Sequence, residues 1–248
     1  MLKIAGYGLL TLAVFGMSTE VHAGRTGLSD WQASVTVMSN YLYRGFSYSD
    51  DLPTTRVQVL RETPRWRVFV QAIPVKLADE RGLEYQTGAL RRFQMGENLT
   101  AWGGLLVTRS AIFASSRSSA RVTNGALDGE LNFGFRWQRG RGFAEVDGFF
   151  GLDSLGGGVL SGSRHVDITL GWQVAEHLSA TAAWGNTRSF AYLDDNDHDY
   201  YRFGLQSERR RQFWSLEFER AYDTGYIKAL NDDPKIVFTL GRRVGGSP

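Results

Sequence analysis

Cysteine is absent from this chain of 248 residues, proline occurs five times and histidine four times. Without cysteine there are no disulfides, no thiol nucleophile, no cysteine-ligated metal and no lipoprotein anchor. Charge of one sign is also lacking. The 28 basic and 26 acidic residues leave a net charge of +2, which gives no electrostatic footprint for nucleic acid. Long apolar runs are missing too: beyond Gly24 none reaches the ~18 residues a spanning helix needs. No glycine loop for phosphate or dinucleotide appears, since Gly156-Gly157-Gly158 is followed by no helical pattern.

What is present begins with an export signal. Met1-Leu2-Lys3 is a short basic start, Ile4 to Met17 is apolar, and Val21-His22-Ala23 places small residues where signal peptidase reads. Residues 1–23 are expected to be a cleaved signal peptide, and residues 24–248 one outer-membrane β-barrel domain.

The rest of the chain alternates. In 30–43, Trp31, Ala33, Val35, Val37 and Tyr41 share one face, while Gln32, Ser34, Thr36 and Asn40 share the other. Ten steps at ~3.3 Å and a ~45° tilt rise roughly 23 Å, close to the apolar band of an outer-membrane barrel. Further strands are expected at 54–62, 66–74, 83–92, 98–108, 127–138, 142–150, 164–175, 178–186, 198–207, 212–220 and 235–243. The clearest stripes are Leu131/Phe133/Phe135/Trp137, Val166/Ile168/Leu170/Trp172/Val174 and Trp214/Leu216/Phe218; the strands at 54–62, 83–92 and 142–150 are less regular.

Short polar connections at 63–65, 94–97, 139–141, 176–177 and 209–211 alternate with longer ones at 44–53, 75–82, 109–126, 151–163, 187–197 and 221–234. Short periplasmic turns and longer outer loops are the polarity of bacterial single-chain barrels, and an even strand count leaves no edge in lipid. Trp31, Trp66, Trp137 and Trp214 fall near the short-turn ends and Trp184 near an outer end, as an interfacial girdle requires. The expected fold is therefore all-β, a transmembrane antiparallel up-and-down barrel of about 12 strands in the outer membrane of a Gram-negative bacterium. A soluble sandwich would have to bury the same stripes against a second sheet.

Residues Ser39-Asn40-Tyr41-Leu42-Tyr43-Arg44-Gly45-Phe46-Ser47-Tyr48-Ser49-Asp50, followed by Pro53, resemble the opening of the TorF-like porins of proteobacteria. Ser39, Tyr41, Arg44, Gly45, Ser47, Ser49 and Asp50 match that pattern, and Asn40 stands where Asp is usual. Families of this kind end on an aromatic residue read by the barrel-assembly machinery. Here Phe238 lies in the last strand and the chain continues through Arg242-Arg243-Val244. The resemblance covers 39–50 and implies an outer-membrane location and a transport role without a defined substrate.

The expected lumen face collects Glu130, Glu145, Asp147, Asp167, Glu217 and Glu219 against Arg44, Arg136 and Arg202. Charges of both signs either line a selective channel or cross-link it shut, and twelve strands enclose less space than sixteen. Arg44 is placed near the mouth, either meeting an anionic solute or pinning the loop to an acid. The most economical function is a porin passing small hydrophilic solutes, with outer-membrane lipids and lipopolysaccharide as surroundings. A closed barrel acting through its outer loops is the alternative.

Enzyme chemistry is disfavoured. His177-Leu178-Ser179 has the His-x-Ser spacing of lipid A deacylases, yet it falls in a short turn, and His165 and Asp167 have no serine set with them. No cofactor is called for. Asp195, Asp197 and Asp199 are weak metal candidates, because this acidic run fails the EF-hand pattern at its turn glycine and its final glutamate. The Ser/Arg-rich stretch 115–121 either folds into the pore or stays outside it.

Overall fold

A computed structural model describes residues 31–43, 46–77, 80–113, 127–152, 162–188, 197–209, 211–222 and 233–245. The strands in chain order are β1 (Trp31–Met38), β2 (Leu42–Tyr43), β3 (Phe46–Ser47), β4 (Thr54–Glu62), β5 (Trp66–Leu77), β6 (Glu80–Gln94) and β7 (Leu99–Phe113). They continue as β8 (Leu127–Arg139), β9 (Gly142–Leu152), β10 (Arg164–Ala175), β11 (Leu178–Arg188), β12 (His198–Arg209), β13 (Gln212–Tyr222) and β14 (Lys235–Gly245). Twelve of these close into one antiparallel barrel, each hydrogen-bonded to its neighbours in sequence, with β1 joining β14 on one side and β4 on the other. A closed ladder satisfies every strand and leaves no edge, which is what hydrocarbon demands. The expected twelve-stranded barrel is the observed one.

The alternating faces explain why the chain folds this way. Leu131, Phe133, Phe135 and Trp137 of β8 stand exposed on the outer wall, while Glu130, Asn132 and Arg136 between them are buried inside. The same holds for Ile168, Leu170 and Trp172 of β10 and for Leu216 and Phe218 of β13. A continuous apolar exterior around a polar interior is the inverse of a soluble protein and belongs in a bilayer. Trp31, Trp66, Trp137 and Trp214 are exposed at the short-turn ends. Arg61 lies 5.9 Å over the Trp31 ring and Arg91 5.8 Å over Trp66, so each guanidinium sits on an interfacial ring. At the other end Tyr201 and Tyr222 pack edge to face at 5.4 Å. Trp102 is different: it faces inward and is buried.

Three expectations need correction. The first strand ends at Met38 rather than at residue 43. Past it, Leu42 and Tyr43 pair with Ser47 and Phe46 in a separate two-stranded ladder. Tyr41, expected on the lipid face with Val35 and Val37, is instead buried within the barrel, because the break at Ser39-Asn40 turns the chain inward. The connection expected at 75–82 is not a long loop. β5 runs on to Leu77 and β6 starts at Glu80, with Lys76 opposite Arg81 in the ladder. The last strand runs two residues past its expected end at 243, to Gly245, and pairs Arg242 with Val35 and Gln212.

The interior has its own apolar clusters. Leu60, Phe69, Leu90, Trp102 and Leu106 are buried together on the β4–β7 wall. Phe69 faces Gly88 across the ladder, and a Cβ on that glycine would overlap the Phe69 ring, so only glycine leaves room for it.

Candidate functional site: the barrel lumen

The lumen is built from the inward positions of the strands, and most residues foreseen there do point into it. Arg136 of β8 and Glu145 of β9 are direct cross-strand partners, and their side chains form an ion pair at 3.1 Å, both buried. The Arg136 guanidinium also lies 3.7 Å from the Phe143 ring centroid. Asp147 accepts from the Trp102 indole N–H at 3.1 Å. Asp167 of β10 accepts the Tyr200 hydroxyl and lies 3.6 Å from Arg202. Glu130 and Glu219 are buried inside, and Glu217 occupies the next inward position of β13. Arg44 lies outside the described residues.

His165 is buried beside Asp167, with Nδ1 2.9 Å from the Thr187 hydroxyl and its ring stacked on Tyr200 at 5.9 Å. His177 sits in the short turn, 3.7 Å from Glu176. Asp197 and Asp199 take Arg188 at 3.5 and 3.8 Å, and Asn186 donates to Asp199; Asp195 lies outside the described residues. The 115–121 and 156–158 stretches also lie outside them.

A cavity of about 360 Å³ opens inside the barrel and extends to the short turns at Arg141 and His177. Six arginines and four glutamates line it. Strand periodicity alone did not reveal Arg56, Arg67, Arg92 and Arg243, which lie on β4, β5, β6 and β14, the stretch of wall on either side of β1. Arg92 pairs with Glu62 and Arg243 with Glu208. Across from this basic wall lie the carboxylates of β8–β10, so a transverse field spans the lumen. A polar ladder also escaped notice. Gln58 and Arg56 donate to Gln71 at 3.0 and 3.4 Å, Gln71 donates to Gln86 at 2.6 Å, and Gln86 donates to Glu84 at 2.9 Å. Only their shared inward parity could have revealed them, and the apolar Leu60 and Leu90 on the same faces hid it.

The outer end is crossed by the segment that carries the SNYLYRGFSYSD motif. Asn40 accepts from Ser47 at 2.7 Å and from Ser49 at 2.9 Å, and donates to Asp51 at 2.7 Å. The Tyr41 amide donates to Ser49 Oγ at 2.9 Å, and Asp51 N–H to Ser47 Oγ at 2.8 Å. The motif serines are thus the staples of a folded loop. Asp50 and Asp51 adopt left-handed backbone at φ 54° and 55°, a region aspartate tolerates better than most residues. Lys76 pairs with Asp50, and Lys235 with Asp51 at 2.6 Å, tying the loop to β5 and β14.

From this anchorage the Tyr41 hydroxyl donates to Glu84 of β6 at 2.9 Å, while Tyr48 packs against Tyr200 of β12 and Ala221 of β13. β6 and β12 are each three steps from β1 around a ring of twelve, so the two tyrosines touch opposite walls. Their rings meet edge to face at 6.0 Å. Asn40→Ala removes three bonds at once and should raise the rate of proteolytic cleavage within 39–53 roughly ten-fold or more, with the barrel itself still folded. An unchanged cleavage rate would show that the staples do not hold the loop.

No known protein-family pattern matches the chain, and no curated protein matches it in sequence. Among solved structures the barrel is similar to the NanC porin (10% identity, 88% of this chain and 100% of that one, TM-score 0.56). It is likewise similar to the CymD monoaromatic hydrocarbon channel (7%, 87% and 88%, TM-score 0.55) and to the KdgM porin (5%, 88% and 99%, TM-score 0.54). These likenesses are of fold: the chain has the architecture of porin-type outer-membrane barrels.

Proposed function

We propose that the chain is an outer-membrane porin through which small hydrophilic solutes pass passively, and that it belongs with the TorF-like porins whose opening motif it resembles. One observation carries this reading: a closed membrane-spanning barrel encloses a charged and polar cavity that reaches the short-turn end. Export by residues 1–23, insertion by the barrel-assembly machinery and contact of the outer wall with lipopolysaccharide belong to the same reading. No catalytic role is assigned to His177, Ser179 or His165.

The neighbours differ in cargo. One is named for monoaromatic hydrocarbons, and KdgM has also been solved in complex with disordered oligogalacturonate. Fold therefore does not select a solute; the lumen does. The buried Gln58–Gln71–Gln86 ladder and the arginine wall suit hydroxylated, polar solutes rather than hydrocarbons.

The alternative, a closed barrel working through its outer loops, is favoured by the segment 39–53 crossing the mouth. Single-channel recording of the refolded chain in a planar bilayer, with liposome swelling in sugars of increasing size, separates the two. Discrete conductance steps and swelling limited to small sugars are the expected result. A folded, inserted barrel that neither conducts nor admits any sugar would leave the outer-loop reading.

A further inference from the structure

Arg56 is an anomaly in a lumen whose other charges are mostly matched. It is 7% exposed, its Nε has no hydrogen-bond partner among the described residues, and its one bond there is a long one, 3.4 Å to the Gln71 side-chain oxygen. A guanidinium offers five N–H donors and is always charged. Arg67, on the next strand, also has a buried Nε without a partner, and among the described residues neither arginine has a carboxylate in an ion pair. Arg67 stands opposite Glu62 in the ladder, but Glu62 pairs with Arg92. Arg67 and Arg243 line the same cavity as Arg56.

A buried cation with no counter-charge costs several kcal/mol unless something supplies one. Here both cations line the same cavity, where arginine outnumbers glutamate. Among the described residues no carboxylate of the wall reaches ion-pair distance of either, so an anion entering the lumen would complete them. Gln58, which lines the same cavity, adds an amide group to this part of the wall.

We propose that Arg56 and Arg67 form an oxyanion-binding station inside the barrel, taking the carboxylate or phosphate of a small hydroxylated solute. This rests on the porin reading for its purpose, but not for its geometry. The planar fork of arginine matches either oxyanion through paired N–H donors.

The test uses the refolded chain, wild type against Arg56→Gln/Arg67→Gln and Arg56→Lys/Arg67→Lys, each checked for folded mobility on an unheated gel. Two readouts are taken: the reversal potential across a KCl gradient, and equilibrium dialysis of glucuronate, glucose 6-phosphate and neutral glucose with the detergent-folded barrel. The wild type should prefer anions and bind the charged sugars over glucose. The glutamine pair should bind them roughly 10–100-fold more weakly and lose the anion preference, while the lysine pair keeps part of both. Stronger glucuronate binding identifies a carboxylate station, and stronger glucose 6-phosphate binding a phosphate one.

A wild type that conducts with no anion preference, binds neither sugar acid and is unaltered by the glutamine pair would overturn the station and leave the porin standing. A wild type that binds the acids through these arginines yet never conducts would keep the station and overturn the porin. Neither conductance nor binding would overturn both. Should the glutamine pair fail to fold, the single Arg67→Gln variant carries the same comparison.

Discussion

Arg136→Leu is expected to lower the barrel's folding free energy by about 3–5 kcal/mol, because it strands Glu145 as a buried charge without its cation. Glu145 is 3% exposed and Arg136 9%, so little water reaches either from the cavity they line. The two stand directly opposite each other on β8 and β9, and removing one leaves the other where the ladder holds it. The attraction between the Arg136 guanidinium and the face of the Phe143 ring disappears in the same step. The pair itself is worth less than that loss. Arg136→Leu combined with Glu145→Leu should recover most of the stability, since replacing both charges with apolar groups also removes both desolvation costs. Urea titration of folding into lipid vesicles, run on the two single variants and the double, closes the cycle. A double-variant loss equal to the sum of the two single losses would mean that the charges act independently and that the lumen is wet enough to solvate Glu145 alone.

What the sequence disclosed and what it hid follow from the same geometry. β8, β10 and β13 were legible because lipid on one side and polar lumen on the other impose a clean period of two on each. β4 and β6 were not, because Leu60 and Leu90 turn inward beside Phe69 and Trp102, so apolar residues occupy both faces. That local cluster concealed the inward parity of Arg56 and of Arg92.

The hairpin between β5 and β6 looked like a loop for the opposite reason. Lys76, Asp79, Glu80 and Arg81 are polar, but a strand that rises beyond the bilayer meets water on both faces and needs no stripe. The segment 39–53 lay furthest from pattern. Its fold depends on Asn40, Ser47, Ser49 and Asp51 bonding to one another across gaps of 4 to 11 residues, and alternation carries no trace of such bonds. The motif announced that the segment mattered. It did not announce that Tyr41 leaves the lipid face to reach Glu84.

Tyr41→Ala combined with Tyr48→Ala should raise the unitary conductance of the refolded barrel severalfold and enlarge the sugars admitted in liposome swelling. The two rings stand between β6 and β12, on opposite sides of a twelve-stranded ring, and cutting both back to methyl groups clears the space between those walls. Each ring is held at both ends: the loop beneath it is stapled through Asn40 and the salt bridges of Asp50 and Asp51, and its face or hydroxyl meets a wall. Removing the rings while keeping the staples separates width from loop mobility. Asn40→Ala supplies the complement, loosening the loop with both rings intact. If the rings set the constriction, the tyrosine pair gives larger, steady steps, whereas Asn40→Ala gives steps of ordinary size that flicker as the loop moves. If the cavity narrows elsewhere, at the Arg136–Glu145 pair, the tyrosine variant conducts as the wild type does.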